Sequence, residues 1–302
     1  MPPDRLSEME IFRARIDDGR LRMVGSRSQK VWTRLTRIIY LLILTVGALT
    51  MLVPFLWTLS TSLKTLSQAL VYPPQWIPHV FIWKNFINTW KIVPMGQWFF
   101  NSFLVSGVVV IGNLILDSMA GYALARIRFR GRSVIFFGVI SMLMIPFQSI
   151  MLPVYIALRT LGLINSYAGM ILPQLASAMG VFLMRQAFLN VPTEVEESAI
   201  IDGASRARIF GQIALPMVQP TLLTLALMMF MTSWNNFLLP LLVANNQAFW
   251  TLPLGVVMFQ QQYYTNWPYL MAAAVMATIP IAILFLVLQR WFIQGISTTG
   301  LR

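Results

Sequence analysis

From Ile209 to Gln289 the chain runs for 81 residues without an Asp, Glu, Lys or Arg. Two stretches carry most of that interval: TLLTLALMMFMTSWNNFLLPLLV from Thr221 to Val243, and YLMAAAVMATIPIAILFLVLQRWF from Tyr269 to Phe292, which runs just past its end. A water-soluble domain would have to expose part of such an interval and would not stay dissolved. A bilayer removes the difficulty, because a helix needs about 20 mostly apolar residues to cross the hydrocarbon. The interval is too long for one crossing. Pro240, Asn245-Asn246-Gln247, Pro253 and the polar aromatic run from Gln260 to Pro268 divide it into two.

Outward from there, four more charge-free intervals have the length of a span: 38–63, 92–116, 133–158 and 160–184. After the second, Asp117 interrupts and apolar sequence resumes to Ala125. The whole chain agrees. It has 302 residues, of which 57% are hydrophobic and only 11% charged, with a mean hydropathy of +0.69, against about 25% charged in a typical soluble domain. The expectation is an all-α integral membrane protein with six transmembrane helices. Residues 1–37 form a basic arm, 38–293 the membrane domain with a polar loop at 190–216, and 294–302 a tail. A soluble enzyme, a disordered chain and a disulfide scaffold are excluded.

Charge gives the sidedness. Eighteen of the 22 Lys and Arg fall before the first span, between spans two and three, between four and five, and after six. The alternate segments hold only Lys64, Lys84, Lys91 and Arg159. Cytoplasmic segments carry the Lys/Arg excess, so both termini are expected in the cytoplasm. The same rule accounts for the net charge of +12 without nucleic acid. The arm before Ile38 is too long and too charged for a cleavable signal. It is expected to lie as a solvated extension at anionic membrane lipid.

Little chemistry is available to this chain. There is no cysteine, and the one histidine, His79, sits beside Pro78 in an expected loop. No catalytic group and no metal site are expected. No G-x-x-x-x-G-K-S/T phosphate loop is present, since none of the four lysines follows a glycine.

The most specific stretch is Asn190-Val191-Pro192-Thr193-Glu194-Val195-Glu196-Glu197-Ser198-Ala199-Ile200-Ile201-Asp202-Gly203. It predicts a short helix with both ends marked. Thr193 and Glu196 have capping-box spacing. Three glutamates crowd the first turn, where the helix dipole favours them. Gly203 is placed to end the helix left-handed. A second helical stretch, 204–215, is expected to stop at Pro216.

The spacing Glu197-Ser198-Ala199, three residues, Gly203, nine residues, Ile213, one residue, Leu215-Pro216 resembles the cytoplasmic EAA signature of ABC importer permeases. Ser198 in place of the central alanine is the one departure. Asp202-Gly203-Ala204-Ser205, Trp234-Asn235-Asn236-Phe237, Tyr122-Ala123-Leu124-Ala125-Arg126, and Gln289-Arg290 with Gly295 resemble the carbohydrate-uptake, maltose-type branch, although that branch commonly has Trp-Asn-Asp at the second site. The resemblance covers the chain from about Ile38 onward.

This resemblance implies a permease subunit of an ATP-driven, binding-protein-dependent importer in a bacterial plasma membrane. Partners would be an ABC ATPase dimer holding ATP and Mg, a second homologous permease and an extracytoplasmic solute-binding protein. No cofactor is implied on this chain. Helix 193–203 would dock on the ATPase, with Glu197 meeting it, Ser198 and Ala199 allowing close approach, Gly203 turning the chain, and Glu196 and Asp202 flanking. Trp234, Asn235 and Asn236 offer a sugar pathway or, equally, glue between helices. Gln260, Gln261, Gln262, Tyr263 and Tyr264 offer a contact for the binding protein or an interfacial belt. Asp117 has a gating role or marks the end of a long helix. External segments with four cations and no carboxylate are compatible with an acidic oligosaccharide. Alternatives are a related importer for a glycerol phosphate ester, a secondary transporter or channel, and a membrane scaffold without transport.

Overall fold

The structure is a computed structural model that describes residues 27–262 and 266–297. Among the described residues there are helices and turns and no strand. Residues up to Trp57 form one compact unit and those from Thr58 on a second. The first unit is the greater part of α1 (Arg27–Ser62), 36 residues, or about 54 Å at the helical rise.

The second unit opens with α2 (Leu66–Ala69) and α3 (Lys84–Ile92), which precede the longest helix of this unit, α4 (Met95–Arg126). There follow α5 (Arg132–Met142), α6 (Phe147–Thr160), α7 (Tyr167–Ile171), α8 (Ala178–Leu189) and α9 (Thr193–Ile201). Next come α10 (Arg206–Ile209), α11 (Leu215–Met217), α12 (Gln219–Trp234), α13 (Leu238–Val243), α14 (Leu252–Gln262) and α15 (Trp267–Ser297). His79 is an exposed residue of the segment between α2 and α3, as expected.

Three helical stretches are long and apolar enough to cross a membrane unbroken: Arg34–Ser62, Met95–Arg126 and Trp267–Val287. Three bent pairs reach that length only together, which brings the crossings to at most six. Here the expected spans need correction. The third is not one helix, because α5 and α6 meet at 99°. Pro146 supplies no N–H and biases Ile145 away from the helical region, so the break falls there. The fourth does not begin at Thr160, which instead ends α6. The chain turns through Gly162 (φ 70) and Asn165 (φ 56) and restarts at Tyr167. It bends again by 44° before α8, where the Ser177 hydroxyl caps the helix by accepting from the Gly180 amide. The fifth stops at Trp234, and Asn235 to Phe237 separate it from α13. The second starts at Met95 rather than Ile92, with Pro94 at its N-cap.

α4 is the axis of the second unit. It packs against α8, α12 and α14, while α12 and α14 also meet α15. Gly121 lets α4 and α8 touch, since a Cβ there would lie 2.7 Å from the Met184 Cβ and 2.8 Å from the Arg185 amide. In α15, Ala272 and Ala273 are buried, and the Ala277 carbonyl accepts from the Trp234 indole. Two apolar cores lie toward opposite ends of α4. One gathers Met95, Trp98, Val105, Trp234, Leu239, Trp250 and Leu252. The other gathers Tyr122, Met184, Phe188, Ala214, Val218 and Leu225.

Candidate coupling and translocation sites

α9 covers the stretch read as a marked helix, and its two ends differ from each other. The C-terminal end is built as expected. Gly203 has φ 80, the Ala204 amide donates to the Ala199 carbonyl (2.9 Å) and the Gly203 amide to the Ile200 carbonyl (3.0 Å). That pair of bonds is a Schellman closure, which satisfies carbonyls the helix leaves open. The N-terminal capping box does not form. Pro192 occupies the N-cap, Thr193 is already helical, and no side chain caps the first turn.

The Glu196 side chain is used elsewhere. Its Oε1 stands 3.1 Å from Nε of Arg126, with only 7% and 8% of the two side chains exposed. Its Oε2 accepts from the Tyr122 hydroxyl at 3.2 Å. Arg126 also donates from Nη2 to the Val191 carbonyl. Tyr122 and Arg126 are four residues apart on α4 and so share one helical face. Phe188 and Phe210 stand 5.3 and 5.1 Å from the Tyr122 ring, covering the pair with apolar surface.

The six residues assigned to coupling therefore separate onto two faces. Glu196 and Ala199 are buried against this chain, whereas Glu197, Ser198, Asp202 and Gly203 are exposed. Ala199 permits close approach, but to its own chain. Ile201, 85% exposed, adds an apolar group to the outer face.

After Gly203 the Ser205 hydroxyl caps α10 by accepting from the Arg208 amide. The stop expected at Pro216 comes one residue later, at Met217, where the chain bends by 81° before α12. A π turn, Phe210–Ala214, widens the helix, and α11 passes through Pro216. The wider turn relieves the clash a proline makes with the carbonyl four residues back.

The candidate pathway residues part company as well. Trp234 is 2% exposed and lies among Phe103 (4.8 Å), Phe230 (5.3 Å) and Phe99 (6.3 Å). It is a core residue here, and its ring offers no face to a passing solute. Asn236 donates to Oε1 of Gln174 (3.1 Å) and accepts from the Leu239 amide (3.2 Å), so it joins two helix breaks. Asn235 is exposed.

Asp117 is fully buried, and its Oδ1 accepts from the Ser177 amide at 3.0 Å, fastening α4 to the start of α8. Gly180 makes room for the carboxyl, since a Cβ there would lie 1.9 Å from Oδ2. Gln260, Gln261 and Gln262 close α14, and Tyr263 and Tyr264 lie outside the described residues. Among the described residues no group of three or more His, Asp or Glu side chains is placed to hold a metal.

A family profile described as the binding-protein-dependent transport system inner membrane component matches residues 117–298. The chain belongs to this family.

The permease is thus a transport component embedded in the inner membrane. It is 41% identical over 205 residues to the arabinooligosaccharides transport system permease protein AraQ of Halalkalibacterium halodurans, covering 68% of this chain and 74% of the relative. It is 31% identical over 253 residues to the sulfoquinovosyl glycerol transport system permease protein SmoH of Agrobacterium fabrum, covering 83% and 89%. Its fold matches a chain in the crystal structure of a bacterial ABC transporter involved in the import of the acidic polysaccharide alginate, with a TM-score of 0.76, 22% identity, and 88% and 98% coverage.

The residues that sequence reasoning left without a role in this permease are Tyr122 and Arg126. The one signal they carried was local: a tyrosine and an arginine at i, i+4 in the last turn of a span.

Proposed function

We propose that this permease is one of two membrane subunits of an ATP-driven importer for a sugar or oligosaccharide, and that α9 docks on a separate ATPase subunit. The outer face of α9 carries the reading. Glu197, Ser198, Asp202, Gly203 and Ile201 stand exposed on one short helix whose inner face is spent on its own chain. ATP and Mg belong to the ATPase, and an extracytoplasmic binding protein delivers cargo near 260–264. Six crossings put both termini and the 190–216 loop in the cytoplasm, with 1–37 as a basic arm against lipid.

The cargo class rests on the carbohydrate transport named in both relatives. A specific observation favours an acidic sugar: the external segments hold four cations, Lys64, Lys84, Lys91 and Arg159, and no carboxylate, so the entry route attracts anions. The test is co-purification with the ATPase, followed by ATP hydrolysis stimulated by loaded binding protein. Glu197→Arg and Ser198→Trp are expected to abolish the stimulation and leave membrane insertion intact. Unchanged stimulation in both would overturn the docking assignment. A binding protein that takes only neutral sugars would overturn the acidic reading alone.

A further inference from the structure

We propose that Tyr122, Arg126 and Glu196 form a clamp through which motion of α9 reaches α4, so that these three are positioning residues for transport. The inference rests on the reading that α9 docks on an ATPase. It concerns the opposite face of that helix.

The chain itself connects α9 poorly to the membrane-spanning helices. On one side lies the Schellman turn at Gly203, a point where the backbone reverses its helical sense. On the other lies the bridge Asn190-Val191-Pro192, which has no helical structure of its own. Neither link transmits a push well. The side chains supply what the backbone lacks. Both carboxylate oxygens of Glu196 are engaged by α4, one by Arg126 and one by Tyr122, and Arg126 holds the Val191 carbonyl of the bridge as well. The first turn of α9 and its lead-in are thus bound to the last turn of α4 at three points. Arg206, at the start of α10, faces the same Tyr122 hydroxyl.

Two features make the clamp stiff. Tyr122 packs edge to face on Phe188, and Phe210 lies tilted against both rings, keeping water from competing for the charges. α4 then runs 32 residues without an internal proline, to an end where Asn101 holds the Ala248 and Trp250 carbonyls. A displacement of α9 is delivered along α4 to the opposite core. Docking and clamping use different faces of α9, so the two functions separate by mutation.

The test uses the complete transporter, with ATPase, second permease and binding protein, in proteoliposomes. It reads cargo transported per ATP hydrolysed. Glu196→Gln keeps the size of the side chain and removes its charge. It is expected to co-purify with the ATPase as wild type does and to lower cargo per ATP by about tenfold, within the usual range of coupling between sites. Tyr122→Phe removes one hydroxyl from a packed ring. It is expected to lower the ratio by about threefold, and it carries the test if Glu196→Gln does not fold. The chain contains no cysteine, which permits a rescue. Arg126→Cys with Glu196→Cys should be uncoupled as a free dithiol and should regain coupling when joined by a short bis-maleimide. A wild-type ratio in both single variants would overturn the clamp. So would loss of ATPase co-purification in Glu196→Gln, since that would make Glu196 a docking contact. Failure of the wild-type chain to bind the ATPase would instead remove the proposed function.

Discussion

The two ends of α4 are fastened by different chemistry. At the Trp98 end, Asn101 satisfies all its groups with neutral partners. It donates to the Ala248 and Trp250 carbonyls at 2.8 and 2.9 Å and accepts from Gln97 and Tyr167 at 2.9 and 2.8 Å. Ser102 accepts from the Leu252 amide at 2.7 Å. At the Arg126 end, a charged pair with little exposure does the same work. Neutral bonds of this kind can be lost one at a time at modest cost. A buried ion pair fails as a whole, because removing one partner strands the other's charge. The end nearest α9 is therefore the brittle one, and the far end is built to tolerate adjustment.

Substitutions can break or sharpen this contrast, read as thermal unfolding of the detergent-solubilised permease. Arg126→Leu leaves the Glu196 carboxylate without its cation and the Val191 carbonyl without its donor, and is expected to cost about 3–5 kcal/mol. Replacing both residues with Arg126→Met and Glu196→Met should recover most of that loss while leaving coupling broken. Gly121→Val drives a side chain into the Met184–Arg185 backbone and is expected to cost about 3 kcal/mol, the upper end for overpacking. Asn101→Leu strands two carbonyls at the neutral end and should cost about 2 kcal/mol. A larger loss for Asn101→Leu than for Arg126→Leu would invert the comparison. Gly203→Ala, at a φ of 80, is expected to cost about 1 kcal/mol, since only one residue is forced left-handed.

What could be read before the structure depends on how local the cause is. The charge-free lengths mark α1, α4 and α15 because a crossing helix needs only apolar length. The bends between α5 and α6 and within the fourth and fifth crossings were not legible from length, which records hydropathy and not direction. Pro146 marked one of them, but an apolar run with a proline reads equally as a kinked single helix. At α9, Gly203 acts on its own turn, so the C-terminal end was readable. Glu196 was assigned to a local cap because its tertiary partner Tyr122 lies 74 positions away. Trp234 shows the same limit. A tryptophan beside two asparagines suggested a sugar contact, and nothing nearby in sequence announced the phenylalanines that enclose it. Asp117 looked like a charge awaiting a function because the Ser177 amide that it binds belongs to another helix.

The carboxyl at 117 and the missing side chain at 180 occupy the same small volume. Bulk added at 180 therefore has to be met by a movement of the Asp117 side chain, which puts its bond to the Ser177 amide at stake.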